Sequence, residues 1–349
     1  MRWAATPDPM HVLVIGGTRF VGYELVWRLL AAGHRVSLFN RGRLADPFGP
    51  RVERLRGDRA TEDFPRLLAG HAFDAAVDFA AYRPEDARQV VSVLAGRLGH
   101  YVVISSGQVY LVRDGAPRPA READYAGPLL AEPRDPAERR EWDYGMGKRG
   151  VEDALVEYWE VRRFPSTRLR LPMVNGERDH FRRLEGYLWR LLDGGPVVLP
   201  DGGDRPIRHV YGGSVVGAIL GLLGQEKTFG EAYNLAQEET PTLGELLRLL
   251  AERLGANPRL VPVPASEIRE AGLDPVRISP FSGRWMSFLD PSRAKAELGF
   301  RHEALGLYLD KIVTTFLACP PAAPPESYAT RAAEVALAAR RSPDHHSTR

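Results

Sequence analysis

The stretch His11-Val12-Leu13-Val14-Ile15-Gly16-Gly17-Thr18-Arg19-Phe20-Val21-Gly22 decides the fold. Its apolar run reads as a buried strand and its glycines as a tight turn, and from Tyr23 to Ala32 apolar residues recur at helical spacing. Strand, glycine turn and helix in one unit are how a dinucleotide-binding fold begins. Glycines without a Cβ let the backbone approach a pyrophosphate, and the N–H groups that open the helix carry the positive end of its dipole. Gly16, Thr18, Arg19, Phe20, Val21 and Gly22 are therefore expected against a cofactor.

A second signal lies far downstream, at Tyr144-Gly145-Met146-Gly147-Lys148. Residues four apart on a helix share a face, so the ammonium of Lys148 is expected beside the Tyr144 phenol, favouring its ionised form. Such a phenol is a usable acid/base near neutrality. Lysine is scarce here, with only Lys148, Lys227, Lys295 and Lys311 among 47 basic residues. An ammonium at 148 is a compact charge able to hydrogen-bond ribose hydroxyls, which a planar guanidinium does less readily.

A glycine turn after the first strand, Ser105-Ser106-Gly107-Gln108-Val109-Tyr110 after a later one, and Tyr-x-x-x-Lys on the next helix together resemble the extended short-chain dehydrogenase/reductases. These include the NAD-dependent epimerase/dehydratase group that acts on nucleotide sugars. The resemblance runs from about Met10 to Ala318. It implies a Rossmann-type doubly wound parallel sheet with a smaller mixed C-terminal substrate lobe, and a homodimer. The expected division is 10–176 for the dinucleotide-binding domain, its sheet completed by later segments, 177–319 mainly for the substrate lobe, and 320–349 for a tail with one helix near 328–341. The turn Gly-Gly-Thr-Arg-Phe-Val-Gly is also similar to that of chloroplast stem-loop RNA-binding relatives in the same superfamily. That leaves an RNA-binding or cofactor-sensing protein without turnover as the alternative.

Composition narrows the classes. A chain of 349 residues is long enough to bury a full core, and its net charge of +2 gives no polyanion-binding signature, so nucleic acid is not expected as a partner. No apolar run has membrane-crossing length, and residues 1–9 have neither the apolar centre nor the cleavage site of a signal peptide. The single cysteine, Cys319, excludes a disulfide within the chain and fits the cytoplasm. No residue is assigned to a metal.

The second strand, from Arg35 to Phe39, bears on the cofactor. NAD binders usually end it with Asp or Glu, whose carboxylate accepts from the ribose hydroxyls and repels a 2′-phosphate. Here Asn40-Arg41-Gly42-Arg43 follows, so NADP is favoured and NAD is the alternative. After the third strand the resemblance gives Asp58 a contact to the adenine amine. At the end of the fourth, Ala80 and Ala81 are small enough for a cofactor to pass close to the backbone. The fifth strand, Tyr101 to Ser105, brings a hydroxyl to the carboxyl edge of the sheet. Counting back from Val109-Tyr110, the position matching the family's catalytic hydroxyl is Ser106, with Lys148 also on the nicotinamide ribose.

Gly107-Gln108 stands where sugar 4,6-dehydratases resemble one another in carrying Asp-Glu, which points away from elimination. Hydride transfer with a proton relay remains, as epimerisation through a transient ketone or as ketone reduction. Residues 111–140 read as a long polar loop, followed by a helix from Asp143 to Arg162. For the substrate, the resemblance would place an Asn at Met173; Asn175 lies two residues on and shares that face of a strand. It also implies a diphosphate contact for Arg205, with Arg208 as competitor, and for Arg284. His209 reads as a structural histidine. Thr242 and Glu245 form a capping box for a helix reaching Leu254.

Overall fold

The computed structural model describes residues 8–341. Two compact units divide the chain. The first takes the chain up to Pro172 and returns for Gly212–Ala236 and Ser287–His302; the second holds Met173–Tyr211, Gln237–Met286 and the chain from Glu303 on. The boundary thus falls at Met173 rather than after 176, which moves Asn175 into the second unit.

The first unit is built on a seven-stranded sheet. Its strands are β1 (His11–Ile15), β2 (Arg35–Asn40), β3 (Val52–Arg56), β4 (Ala75–Asp78), β5 (Tyr101–Ser106), β6 (Ser166–Leu171) and the edge strand Ala232–Asn234. They lie in the order edge strand, β6, β5, β4, β1, β2, β3, and every pair is parallel. Val12 is paired on one side with Val36 and on the other with Ala75, so the strand order reverses at β1. In such sheets the crevice outside the carboxyl ends of the strands, at the reversal, is where ligands bind.

A parallel sheet is covered on both faces, so its strands are continuous apolar runs, and Val12, Leu13, Val14 and Ile15 are all buried. Leu13 and Ile15 share a cluster with Val90, Val91 and Leu94 of helix Pro84–Leu94 and with Val151 and Leu155 of helix Pro136–Arg162. Helix Phe20–Ala31 packs instead with helix Gly212–Leu222.

The helix expected from Asp143 begins two turns earlier, at Pro136, with Asp135 Oδ1 accepting from the N–H groups of Ala137 and Glu138 at 2.9 Å. The stretch read as loop, 111–140, also carries a short helical turn at Glu122–Tyr125. Trp142 ties it to the helix by donating from Nε1 to the Leu130 carbonyl at 3.1 Å.

The second unit is smaller and mixed. It has two short parallel pairs, Val197–Pro200 with Leu260–Val263 and Val174–Asn175 with Val210–Tyr211, around a core that includes Leu188, Leu246, Leu250, Tyr308 and Leu309. Helix Leu243–Leu254 starts with the expected box: Glu245 N donates to Thr242 Oγ1 at 3.2 Å and Thr242 N to Glu245 Oε2 at 2.7 Å.

The reading of 320–349 as a tail is corrected for its described part. Glu326–Thr330 and helix Arg331–Ala339 pack into this unit and bury Glu334, Leu337 and Ala338. The cause is electrostatic as well as apolar: Arg190 donates to both carboxylate oxygens of Glu334, at 2.8 and 2.7 Å, with both side chains almost wholly out of water. Residues 342–349 of that stretch lie outside the described residues.

Candidate active site

The site of the first unit starts at the glycine turn. Gly16 has φ +87° and donates to the Phe39 carbonyl at 3.0 Å; a Cβ on Gly22 would lie 2.9 Å from the Cα of Gly17. Turn and helix therefore meet at backbone distance, leaving a cradle that side chains would fill. Phe20 takes φ +43°, a conformation costly for a bulky residue and held by its surroundings. Arg19 stands at the N-cap position without a side-chain cap bond, and no acidic residue occupies the helix's first turn. The positive helix end is left for an anion, which fits a dinucleotide pyrophosphate.

At the ribose end, Asn40 Oδ1 accepts from Gly42 N at 2.7 Å, and Arg41 and Arg43 are exposed. No carboxylate ends β2. Asp58 serves a turn, its Oδ1 accepting from Ala60 N at 3.0 Å. Ala80 donates to Asp78 Oδ1 at 2.7 Å, and Ala81 is buried.

Asp78, not singled out by sequence, anchors this edge. It is buried at the end of β4, takes Nη1 of Arg59 on both oxygens at 3.1 and 2.9 Å, and accepts from the Tyr101 hydroxyl at 2.8 Å. Burial alone would lower the Arg59 guanidinium; the Asp78 carboxylate overrides it and holds the group well above its ordinary value.

The two serines that end β5 face different surroundings, as strand alternation requires. Ser105 is buried and donates to Glu152 Oε1 at 2.5 Å. Glu152 in turn receives Arg170 through Nε at 3.0 Å to each oxygen and through Nη2 at 2.6 Å, and Arg170 Nη1 donates to the Tyr110 hydroxyl at 2.6 Å. Burial pushes the Glu152 carboxyl up, but Arg170 outweighs it and holds the group below the usual range. Ser106 is half-buried, and its Oγ accepts from Gln108 N at 3.2 Å. Gln108 Nε2 donates to Glu141 Oε2 at 2.5 Å, tying the turn after Ser106 to the helix of Tyr144.

Lys148 is buried and donates from Nζ to the carbonyls of Ala81 and Ile104, each at 2.8 Å, so β4, β5 and the long helix meet at its ammonium. Nζ lies 5.8 Å from the ring centroid of Tyr144, which is partly exposed. Burial pulls the Lys148 ammonium down to about 8, against the opposing pull of the Asp78, Glu152 and Asp86 carboxylates. The approach of the loop to the helix depends on Gly147, where a Cβ would lie 2.4 Å from the Tyr82 carbonyl oxygen. Tyr82 is the other residue that sequence reasoning missed. Its ring stands 4.7 Å from Lys148 Nζ and 6.3 Å from the Tyr144 ring.

The remaining expected residues belong to the second unit. Asn175 is buried, with Nδ2 2.8 Å from Nδ1 of His209, and it lines a cleft with Glu177, Asp179, Arg183 and Phe316. Burial, and then the Arg183 charge, bring the His209 imidazole down to about 3, the behaviour of a structural histidine. Arg205 Nη1 donates to the Gly283 carbonyl at 3.4 Å, which joins its segment to the one holding Arg284; the Arg284 guanidinium stacks 4.6 Å from the Trp285 ring centroid. Among the described residues no helix is long and apolar enough to cross a membrane, and no cluster of three His, Cys, Asp or Glu side chains is placed to hold a metal ion.

Comparison with known proteins agrees with this geometry. Residues 12–236 match the NAD dependent epimerase/dehydratase family. Over 288 residues the chain is 27% identical to 2′-dehydrokanamycin reductase of Streptomyces kanamyceticus, covering 81% of this chain and 77% of that protein. It is also 27% identical over 268 residues to the chloroplast stem-loop binding protein of 41 kDa b of Arabidopsis thaliana, covering 72% of this chain and 65% of that protein's length. Among solved structures, UDP-glucose 4-epimerase from Thermotoga maritima superposes with a TM-score of 0.70 at 20% identity, over 88% of this chain and 99% of that one. A dTDP-glucose 4,6-dehydratase from Streptomyces venezuelae superposes with a TM-score of 0.68 at 20% identity, over 89% and 98%.

Proposed function

Because the chain belongs to the NAD-dependent epimerase/dehydratase family, we propose that it is an NAD(P)-dependent enzyme. It moves a hydride to or from a carbon of a nucleotide-linked or related sugar, with Tyr144 as the acid/base. The observation that carries this reading is a buried, still ionisable Lys148 at the carboxyl edge of the sheet, bonded to the Ala81 and Ile104 carbonyls with the Tyr144 ring 5.8 Å away, on the same edge where Ser106 ends β5. The glycine cradle and the uncapped helix end suit a dinucleotide pyrophosphate. When bound, the nicotinamide supplies or accepts the hydride.

The protein's own groups handle the proton. The Tyr144 hydroxyl gives its proton to the ketone oxygen in reduction and, as phenolate, takes it from the sugar hydroxyl in the reverse direction. Ser106 Oγ orients that oxygen. Lys148, charged below about pH 8, favours the phenolate and hydrogen-bonds the ribose. Gly107 and Gln108 after Ser106 supply no acid–base pair for elimination, which supports epimerisation or ketone reduction. The Streptomyces relative, a reductase by name, supports the latter.

NADP is the preferred cofactor, because exposed Arg41 and Arg43 follow β2 without a carboxylate at its end. Asn175, Arg205 and Arg284 are the substrate-binding residues of the second unit, the two arginines for a diphosphate. The lone cysteine supports a cytoplasmic setting, and the family resemblance supports a homodimer. The Arabidopsis relative supports a second reading, a binding protein without turnover.

One experiment separates these readings. The protein is denatured, any released dinucleotide is identified by mass spectrometry, and the emptied protein and its Tyr144→Phe variant are titrated with NADPH and NADH and assayed for turnover. Exchangeable NADPH with turnover lost in the variant is expected. Retained NAD overturns the role given to Arg41 and points to an epimerase that recycles its hydride, unchanged turnover in the variant removes Tyr144 from the chemistry, and no binding of either dinucleotide favours the second reading.

A further inference from the structure

The loop leaving β4 holds its backbone rigidly and still presents a large aromatic side chain to solvent. Tyr82 N donates to Asp86 Oδ2 at 2.7 Å, and the preceding carbonyl, of Ala81, accepts from Lys148 Nζ at 2.8 Å. The Tyr82 carbonyl lies against the bare Cα of Gly147. The residue is 52% exposed, among the largest exposures of any aromatic residue in the first unit.

What the ring touches gives it a purpose. Its centroid lies 4.7 Å from Lys148 Nζ, and the Tyr144 centroid lies 5.8 Å from the same atom. Among the described residues Lys148 has no ion-pair partner, because the acids nearest its charge are already engaged. Asp78 is held by Arg59 and Tyr101, Asp86 by Arg59 and the Tyr82 N–H, and Glu152 by Arg170 and Ser105. A buried ammonium served only by two neutral carbonyls is poorly compensated. The negative face of an aromatic ring supplies stabilisation to an ammonium that is itself out of water.

We propose that Tyr82 is a positioning residue of the catalytic site: its ring holds the Lys148 ammonium against the Ala81 and Ile104 carbonyls and beside Tyr144, and keeps it charged. The ring acts, not the hydroxyl. A second consequence concerns Gly147. Its place between Tyr144 and Lys148 in sequence is what lets the Tyr82 carbonyl reach the helix, so the two catalytic residues and the positioning residue are set by one contact.

The scarcity of lysine makes the inference directly measurable, since [ε-13C]lysine labelling yields four resonances, from Lys148, Lys227, Lys295 and Lys311. The Lys148 signal is assigned by its loss in Lys148→Arg and titrated in the cofactor-free protein. The groups that bear on this titration, Asp78, Asp86, Glu152 and Arg59, are the same in every Tyr82 variant.

Tyr82→Phe is expected to titrate as the parent does, near 8. Tyr82→Leu keeps the site apolar and removes the ring face, so Lys148 is expected to titrate about one pH unit lower. The alkaline limb of the kcat profile follows by the same amount. Tyr82→Met gives the same comparison if the leucine variant does not fold. An unchanged Lys148 titration in the leucine or methionine variant overturns the proposal, as does an equal shift in the phenylalanine variant, which would move the effect to the hydroxyl. The catalytic consequence rests on the role given above to Tyr144 and Lys148, whereas the NMR titration does not. Turnover that survives Tyr144→Phe beside a shifted Lys148 resonance would therefore refute the mechanism and leave the contact standing.

Discussion

Replacing Gly147 with alanine sets two physical effects against each other. In the interior of an exposed helix this change gains about 0.8–1 kcal/mol, because glycine pays more backbone entropy. At 147 the new Cβ would sit 2.4 Å from the Tyr82 carbonyl oxygen, where an ordinary C···O contact needs about 3.3 Å, so about 0.9 Å must be found. The carbonyl has little room to retreat, because the Tyr82 N–H is bonded to Asp86 and the adjoining Ala81 carbonyl to Lys148. Overpacking of this kind costs about 1–3 kcal/mol. The strain outweighs the helical gain, and the variant is expected to lose about 1 kcal/mol. Gly217 is the control: it lies in helix Gly212–Leu222, exposed, with nothing within 4 Å of its own added Cβ. Gly217→Ala is expected to gain the full propensity term. Urea unfolding followed by circular dichroism should separate the two variants by about 2 kcal/mol. Equal stabilisation of both would show that the loop yields freely and would refute the account of how β4 is docked on the long helix.

Three further outcomes follow from buried charge. Glu152→Ala leaves the Arg170 guanidinium buried and unpaired, and should cost about 3–5 kcal/mol in urea unfolding, against a much smaller loss for an exposed acid such as Glu157. His209 titrates near 3 when folded and at its ordinary 6.5 when unfolded, so between those values the unfolded chain binds more protons and stability falls as pH drops. The slope from this one group is about 1.4 kcal/mol per pH unit, and His209→Gln should be correspondingly less sensitive between pH 6 and pH 4 when unfolding midpoints are compared; an unchanged sensitivity would exclude burial of the neutral ring. Truncation after Cys319 removes Glu334 from Arg190 and uncovers the cluster holding Leu337 and Ala338, so thermal unfolding should occur at lower temperature than in the parent. A truncated protein as stable as the parent would restore the reading of that segment as a tail.

Local patterns carried much of this architecture into the sequence. The glycine turn, the Tyr-x-x-x-Lys spacing and the Thr242–Glu245 box are each decided within a few residues, and each was legible. The start of the long helix was not, because Pro136 to Trp142 is polar on nearly every side and shows no apolar stripe. The available signal was the cap itself, Asp135 followed by Pro136 and Glu138. The packing of the C-terminal segment was hidden because its decisive contact joins residues 144 apart. Tyr82 and Asp78 escaped for the same reason. Nothing beside them in the chain predicts a partner, and their roles arise only where β4, β5 and the long helix converge.

The adjacent serines at the end of β5 have an implication for how this edge can change. One hydroxyl belongs to the scaffold, bonded to Glu152, and its half-buried neighbour is the one proposed for the chemistry, and strand parity tells them apart. A one-residue deletion earlier in β5 would put Ser106 in the place of Ser105 and Gly107 in the place of Ser106, whereas an insertion would put Ser105 in the place of Ser106 and Ile104 against Glu152. The adjacent serines therefore keep a hydroxyl at one of the two places after a slip in either direction and never at both, and after an insertion the buried Glu152–Arg170 pair, deprived of its serine, is the feature that penalises the slip.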